Sequence, residues 1–302
     1  ITTADSLQLQ RRPVLAAAIM KTSALVAALA FSAPASALVA PAAPVRHATA
    51  LAARQPITGG NWKMNPTSLD DARELAKSVA AAAGSSAAEG IVFPPYPFIG
   101  PVGEIIKDTK LNLGSQSIFF EDKGAYTGAV SASMVKSLGV KYVLAGHSER
   151  RTLFKDNDAA INKKVLKIIE GGMIPVLCIG ETKEEFDANL CESVCAIQLA
   201  KDLAGVSAAD VKTMIIAYEP VWAIGTGLVC PSETAQKVHK FLRAKIAAMY
   251  DEATADAVRI QYGGSVTPDS VDELMSMPDI DGCLVGGASL DGEKFGRILN
   301  FN

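Results

Sequence analysis

Three side chains that could carry out acid–base chemistry follow short apolar stretches of the sequence. They are Glu219, His147 and Lys63. A carboxylate can move a proton between adjacent carbons, and an imidazole or an ammonium group can stabilise the oxyanion that results. Each residue alone has an ordinary alternative: a solvated carboxylate, a hydrogen-bonded core histidine and a surface lysine. Their chemistry therefore depends on whether the fold brings them together.

Two glycine pairs could supply the backbone donors that a phosphate group needs. Gly263-Gly264 precedes Ser265, and Gly286-Gly287 follows the next apolar stretch. Glycine allows the backbone to approach a ligand closely, and helix N-termini attract anions. A single pair usually marks only a turn, but two pairs after consecutive apolar stretches predict a phosphate site.

Short apolar stretches alternate with longer helical segments from Ile57 onward. The pattern predicts strands at Ile57–Trp62, Gly90–Phe93, Leu111–Gly114, Tyr142–Ala145, Ile174–Ile179, Thr213–Tyr218, Val258–Tyr262 and Gly282–Val285. Helical spacing is clearest at Leu69–Ala82, Asp158–Glu170, Pro231–Tyr250 and Glu293–Asn300. Eight strand–helix repeats between residues 57 and 302 predict an α/β fold, a single-domain (β/α)8 barrel. A doubly wound open sheet is the alternative, although the sequence has no GxGxxG after the first strand and no GxxxxGK[ST].

In a barrel, the groups that do chemistry lie on the loops that follow the strands. The motifs at these places, in chain order, are Asn61-Trp62-Lys63, Gly146-His147-Ser148-Glu149-Arg150-Arg151, Ala217–Gly227, Gly263-Gly264-Ser265 and Gly286-Gly287-Ala288-Ser289. This ordered set resembles that of the triosephosphate isomerases over residues 57–302, and the segment Ala217–Gly227 is highly specific by itself. The resemblance implies an isomerase that interconverts dihydroxyacetone phosphate and D-glyceraldehyde 3-phosphate through an enediolate.

The resemblance also implies a role for each site residue. Glu219 would be the base, Lys63 the fixed positive charge and His147 the electrophile, acting as the neutral imidazole for which this family is itself the known example. The substrate would be bound by Asn61, Lys63, Gly225, Ser265, Gly286 and Gly287. Ser148 and Glu149 would support these residues, and Glu149 has two readings: a member of the site, or an ion-pair partner that fixes the loop.

A lid would close over the substrate after the sixth strand. Its residues would be Pro220, Val221, Trp222, Ala223, Ile224, Gly225 and Thr226. Gly225 and Gly227 are the candidate hinges. A lysine commonly follows the final lid glycine in the family, whereas Leu228 stands there in this sequence, so the rate of closure does not carry over from the resemblance.

The family forms homodimers, and the resemblance implies one here. Thr127, at the end of the loop Gln116–Thr127, would reach the active site of the partner subunit. No metal or organic cofactor is needed for the reaction. Two other classes remain open: another phosphosugar enzyme on a barrel, such as an aldolase or epimerase, and a non-catalytic barrel. The first would need a Schiff-base lysine or a metal-binding histidine pair, and neither is apparent.

Charge and cysteine content argue against a nucleic-acid binder and against a protein stabilised by disulfides or zinc. Residues 1–56 hold five bases and one acid, which leaves a formal charge of −7 for the rest of the chain. Such an acidic body lacks the basic stripe that a nucleic-acid binder would show. The five cysteines have neither CxxC spacing nor a histidine cluster, so we expect free thiols rather than disulfides or a zinc site. Cys191 and Cys195 share a helix face, which leaves a redox switch as the alternative.

The first 56 residues differ in composition and resemble a targeting leader that is removed. Lys21, the apolar run Ala24–Phe31 and Ala35-Ser36-Ala37 are typical of a secretory signal peptide. The run is too short to span a membrane. Residues 38–56 contain Arg46 and Arg54 but no acid, as transit peptides do. The two in series predict delivery to a plastid through a bipartite leader, with secretion, a mitochondrial location and a cytoplasmic one as alternatives.

Overall fold

The computed structural model describes residues 54–84, 86 and 88–302. These residues form a sheet of eight parallel strands that is surrounded by helices. The strands are β1 (Ile57–Asn61), β2 (Glu89–Phe93), β3 (Leu111–Ser115), β4 (Tyr142–Ala145), β5 (Ile174–Ile179), β6 (Ile215–Tyr218), β7 (Arg259–Tyr262) and β8 (Leu284–Val285). Strand β1 pairs with both β2 and β8, and a parallel bridge between Tyr262 and Cys283 brings β7 beside β8. The sheet therefore closes into the predicted barrel, and the open-sheet alternative is wrong.

The helices lie between consecutive strands and outside them. They are α1 (Leu69–Ala83), α2 (Ile99–Ile106), α3 (Ala132–Ser137), α4 (Ser148–Thr152), α5 (Asp158–Glu170), α6 (Lys183–Asp187), α7 (Cys191–Asp202), α8 (Ala208–Val211), α9 (Ser232–Met249), α10 (Glu252–Ala257), α11 (Val271–Met275) and α12 (Gly292–Leu299). Short 3₁₀ turns cover Tyr96–Phe98, Val221–Ala223 and Gly287–Leu290. Side chains of Ser68, Asn157 and Asp251 accept hydrogen bonds from first-turn N–H groups, which fixes where α1, α5 and α10 begin.

Alternating residues along the strands build two apolar layers. Phe93, Leu144 and Val176 point into the barrel and pack with one another. Their neighbours Val143 and Leu177 point outward and pack under the helices. Successive side chains of a strand face opposite sides, so each strand serves both layers and is buried along its length. The double burial makes the strands rigid supports for the loops that follow them.

The predicted strands and helices are confirmed, with some ends displaced by one or two residues. Strand β6 begins at Ile215 rather than Thr213, because the N–H groups of Thr213 and Met214 donate to the Asp210 carbonyl in a turn. Strand β8 begins at Leu284 rather than Gly282. Gly282 has a φ of 152°, and its neighbour Cys283 forms an isolated bridge to Tyr262 of β7 and accepts a hydrogen bond from the Gly59 N–H at 2.8 Å.

Residues that precede the first strand also pack onto the barrel. Arg54, counted with the leader in the sequence analysis, is buried against the amino-terminal end of the barrel. Its Nε lies 2.6 Å from Asp281 Oδ1, and its Nη2 donates to the Pro278 carbonyl at 3.2 Å. The signal-like and transit-like features of residues 1–53 lie outside the described residues. Within the described residues, every helix is too short or too polar to cross a membrane.

Candidate active site

The loops after β1, β4, β6, β7 and β8 surround one cavity of about 720 Å³ at the carboxyl end of the barrel. The residues predicted from the sequence that line it are Asn61, Lys63, His147, Glu219, Ile224, Gly225, Gly263, Gly264, Ser265, Gly286 and Gly287. The barrel therefore brings together groups that are far apart along the chain. Ser148, Glu149 and most of the lid lie behind or beside this lining.

Glu219 is held in the wall of the cavity by two hydrogen bonds. Its Oε1 lies 3.0 Å from Nε2 of His147, and its Oε2 accepts from the Ser148 N–H at 2.8 Å. The side chain is only 2 % exposed. Gly263 makes this position accessible, because a Cβ there would lie 2.9 Å from Glu219 Cγ. The carboxylate is thus desolvated and points at the histidine.

His147 stands at the start of helix α4, and its ring orientation fixes its tautomer. Nδ1 accepts a hydrogen bond from the Glu149 N–H at 3.3 Å. A neutral imidazole that accepts at Nδ1 carries its proton on Nε2. The Nε2–H therefore faces the cavity, where it donates to the Glu219 carboxylate. This agrees with the sequence-based expectation of a histidine at a helix N-terminus.

Lys63 has a left-handed backbone, with a φ of 53°, which is uncommon for a residue with a side chain. The Lys63 N–H donates to Asn61 Oδ1 at 3.0 Å, and Gln116 Nε2 donates to the Lys63 carbonyl at 2.7 Å. These bonds hold the strained residue in place. Its Nζ lies 2.7 Å from Glu149 Oε1. Glu149 thus contacts both Lys63 and His147, a position that is compatible with either of its two predicted roles.

The lid segment divides into a buried base and an exposed tip. Trp222 donates from Nε1 to Glu181 Oε1 at 2.7 Å and stacks on Phe186 with ring centroids 4.3 Å apart. Residues 225–229 are exposed. Gly225 and Gly227 have φ values of 70° and 81°, which glycine adopts readily. Of the lid, Ile224 and Gly225 line the cavity.

The two glycine pairs follow the neighbouring strands β7 and β8, and both line the cavity. A 3₁₀ turn at Gly287–Leu290 begins directly after Gly286, so its first N–H groups lie beside the pair. Lys294, in the first turn of α12, also lines the cavity and was missed by the sequence analysis. The sequence feature that could have revealed Lys294 is its position as a basic residue near the start of the helix that follows the last strand.

Cys178 lies inside the barrel at the end of β5. Burial, and then the negative charge of Glu219, hold the pKa of the Cys178 thiol well above its usual value. The thiol therefore stays protonated and acts as a small apolar residue below the site. Thr127 is exposed in the loop after β3 and is absent from the cavity lining.

Sequence comparisons agree with this geometry. The family model described as "Triosephosphate isomerase" matches residues 56–302. The chain is 49 % identical over 248 residues to the triosephosphate isomerase of Chlorobium phaeovibrioides, which covers 82 % of this chain and 98 % of the relative. The triosephosphate isomerase of Herpetosiphon aurantiacus is 47 % identical over 249 residues, with 82 % and 99 % covered. That of Moorella thermoacetica is 45 % identical over 249 residues, with the same coverage.

Proposed function

The chain belongs to the triosephosphate isomerase family, and from this premise we propose that Glu219, His147 and Lys63 carry out the family's reaction in this protein. The reaction is the interconversion of dihydroxyacetone phosphate and D-glyceraldehyde 3-phosphate. The observation that carries the assignment is the 3.0 Å contact between His147 Nε2 and Glu219 Oε1 in a cavity that Lys63 also lines.

Proton transfer between the two carbons begins at Glu219. Its carboxylate removes a proton from the carbon beside the carbonyl, and the electrons move to the carbonyl oxygen to give an enediolate. His147 donates its Nε2–H to that oxygen and takes the hydroxyl proton from the oxygen on the adjacent carbon, so the imidazole ends neutral, and Lys63 stabilises the negative charge. Glu219 then returns the proton to the neighbouring carbon. To act in this way, Glu219 exchanges its hydrogen bonds from Ser148 and His147 for the substrate.

The phosphate group occupies the wall that the two glycine pairs form. Backbone N–H groups near Ser265, Gly286 and Gly287 donate to its oxygens, and Asn61 and Lys63 contact the substrate from β1. The start of the turn at Gly287–Leu290 adds the favourable end of its peptide dipoles. Lys294 also lines the cavity, where its ammonium pairs with Asp291 at 3.2 Å.

The lid Pro220–Thr226 closes over the bound substrate and excludes water from the enediolate. The exposed tip and the positive φ values of Gly225 and Gly227 support this movement. Closure brings the Gly225 N–H toward the phosphate. The buried base at Trp222 serves as the pivot, because its hydrogen bond and ring stacking fix one end of the segment.

A homodimer fits the exposed loop after β3. Residues 121–129 are exposed, and they include the apolar ring of Tyr126, which is 44 % exposed. In a dimer, Thr127 reaches the partner subunit's active site. Sedimentation equilibrium measures the mass directly, and Thr127→Arg would break the contact. A wild-type mass of one chain would contradict this assignment.

We also infer that residues before Arg54 direct the protein to a plastid. The basic start, the short apolar run and the acid-free stretch in the sequence support a bipartite leader. Because Arg54 is paired with Asp281 at the amino-terminal end of the barrel, cleavage is expected before it. A fluorescent reporter fused to residues 1–53 tests the leader, and mass spectrometry of the mature N-terminus tests the cleavage site. Reporter in the cytosol or the medium would count against a plastid.

The activity assay uses the purified full chain with chelator and without coenzyme. Samples are quenched, and the two triose phosphates are then quantified separately with a dehydrogenase and its coenzyme; the control omits the chain. Aldol cleavage or epimerisation without isomerisation would indicate the other barrel enzymes. A folded chain with no turnover would indicate the non-catalytic barrel.

A further inference from the structure

Outside the cavity, three potential metal ligands meet at the base of the lid. Glu181 follows β5, and Cys191 and Cys195 lie four residues apart in helix α7, so that they share a face. One ligand atom from each of the three lies within 4.8 Å of those of the other two. We propose that Glu181, Cys191 and Cys195 bind a thiolate-preferring divalent cation, of the Zn²⁺ class.

Within the part of the chain that the structure describes, the buried carboxylate of Glu181 has one oxygen with hydrogen-bond partners and one without. The residue is fully buried. Its Oε1 accepts from the Tyr218 hydroxyl at 3.0 Å and from Trp222 Nε1 at 2.7 Å. Among the residues that the structure describes, its Oε2 has no hydrogen-bond partner. A buried polar atom without a partner is costly and usually has an explanation. A cation bound between Oε2 and the two thiolates supplies one.

The ligand set and its access suit Zn²⁺. Thiolate sulfur and carboxylate oxygen are both common zinc ligands, and a tetrahedral ion with three protein ligands keeps a fourth position for water. Cys191 is partly exposed and lines a cavity of about 330 Å³ together with Tyr218 and Asn189. An ion can therefore enter from solvent, and a water can complete its coordination.

A disulfide between the two cysteines is the competing explanation, and helix geometry opposes it. Residues four apart in a helix have Cβ atoms about 5–6 Å apart. A disulfide needs a Cβ separation of roughly 3.5–4.5 Å. Closing the bond would distort the first turn of α7, whereas a metal ion bridges the larger gap without this change.

A cation bound at this site would restrict the movement of the lid base. Glu181 is the hydrogen-bond acceptor for Trp222 in the lid base and for Tyr218, which directly precedes Glu219. A cation that fixes the Glu181 carboxylate therefore fixes the lid base in its present arrangement. The cysteine count and spacing did not reveal this site, because Glu181 joins the cysteines only in the folded chain.

Cobalt binding to the full, reduced chain tests the proposal, and the readout is independent of isomerase activity. After chelator treatment and anaerobic dialysis, Co²⁺ is titrated while thiolate-to-cobalt charge-transfer absorption is recorded. We expect saturation at one ion per chain and displacement by Zn²⁺. The band should be lost in Cys191→Ala and in Cys195→Val, and kept in Cys283→Ala, a matched removal of a buried cysteine elsewhere.

Cys191→Ala is the decisive variant, because its partly exposed position tolerates the change if Cys195→Val fails to fold. Absence of the band in the wild type, or its retention in Cys191→Ala, would overturn the proposal. So would a Cys191–Cys195 disulfide in mass spectra together with no cobalt binding. Zn²⁺ should also shift the fluorescence of Trp222, and this shift should vanish in Cys191→Ala and in Trp222→Phe.

Discussion

The two ends of the barrel both carry clustered charges, but they use them differently. At the amino-terminal end, Arg54 pairs with Asp281 at 2.6 Å, and Arg243 pairs with Asp281 at 2.7 Å and with Asp279 at 2.9 Å. All four side chains are at most 10 % exposed. At the carboxyl end, the Lys63–Glu149 pair is as short, at 2.7 Å, but its side chains are 28 % and 41 % exposed.

The difference shows that the amino-terminal end of the barrel contributes to stability, whereas the carboxyl end is arranged for chemistry. Buried charges at the amino-terminal end have permanent partners, including the Ile260 N–H, which donates to Asp281 at 2.8 Å. Charges around the cavity have partners that a substrate can replace, such as the Ser148 N–H on Glu219. The strained backbone of Lys63 lies at this second end. Barrel enzymes generally divide the two tasks between the two faces in this way.

The largest effect is expected from Glu219→Gln. The amide cannot accept the proton, and loss of general acid–base catalysis lowers kcat by roughly 10²–10⁴-fold or more. The chain should stay folded, because the amide oxygen can still accept from Ser148. Steady-state kinetics and circular dichroism check the two statements. Full rate in this variant would reject Glu219 as the base.

At the opposite end, Asp281→Asn should lower the free energy of unfolding and leave catalysis unchanged. The change leaves Arg54 buried with a neutral partner, while Arg243 keeps Asp279 as its charged partner; breaking a buried pair costs about 3–5 kcal/mol. Urea unfolding measures the loss, and kcat and KM are compared at a temperature where both proteins are folded. Glu74→Gln, in an exposed pair with Lys77, is the control and should change stability by less than about 1 kcal/mol. An altered KM with unchanged stability would contradict the division between the ends.

The sequence was more informative about the carboxyl end than about the amino-terminal end. Chemistry-bearing residues such as His147 and Glu219 follow predicted strands and sit in specific motifs, so the barrel prediction and the family resemblance together predicted that they meet. Arg54 could not be assigned, because its neighbours resemble a leader and its partner Asp281 is 227 residues away. Such pairing depends on tertiary packing, which leaves no local pattern.

Backbone and rim details at the carboxyl end were also hidden from the sequence. The left-handed φ of Lys63 arises from hydrogen bonds with Asn61 and Gln116, and no glycine marked the position. Lys294 looked like an ordinary helix lysine. Its place on the cavity depends on how α12 docks after β8, which periodicity does not specify.

Lowering the pH should reduce the free energy of unfolding, because His239 is buried in its neutral form beside Asp279. Burial lowers the pKa of His239 to about 3 from 6.5. Its Nδ1 lies 3.2 Å from the Asp279 carbonyl, Arg243 is a nearby charge, and the rings of Tyr218 and Tyr262 pack against it. The unfolded chain binds a proton below pH 6.5 and the folded chain does not. Stability is therefore complete above 6.5 and falls by roughly 1.4 kcal/mol per pH unit as the pH drops toward 3.

Urea unfolding at a series of pH values, with His239→Gln as the comparison, isolates this contribution. The variant should lack the part of the pH dependence that His239 contributes. Asp202 acts in the opposite direction, because burial raises its pKa to about 6 from 3.8. Its folded form binds the extra proton in that window, so its contribution is present below 3.8 and lost as the pH rises through 6. An equal slope in wild type and variant would remove His239 as the cause.

The smallest effect on stability is expected from Glu149→Gln, which repeats the chemical change of Asp281→Asn on a pair of the same length. Water screens the exposed Lys63–Glu149 pair, so its loss should change the free energy of unfolding by less than about 1 kcal/mol. The effect should instead appear in kinetics, because the Glu149 carboxylate holds Lys63 Nζ and lies 3.7 Å from His147 Nδ1. Urea unfolding and kcat/KM are measured on the same preparation. A stability loss as large as that of Asp281→Asn would mean that distance, and not burial, decides what an ion pair contributes in this barrel.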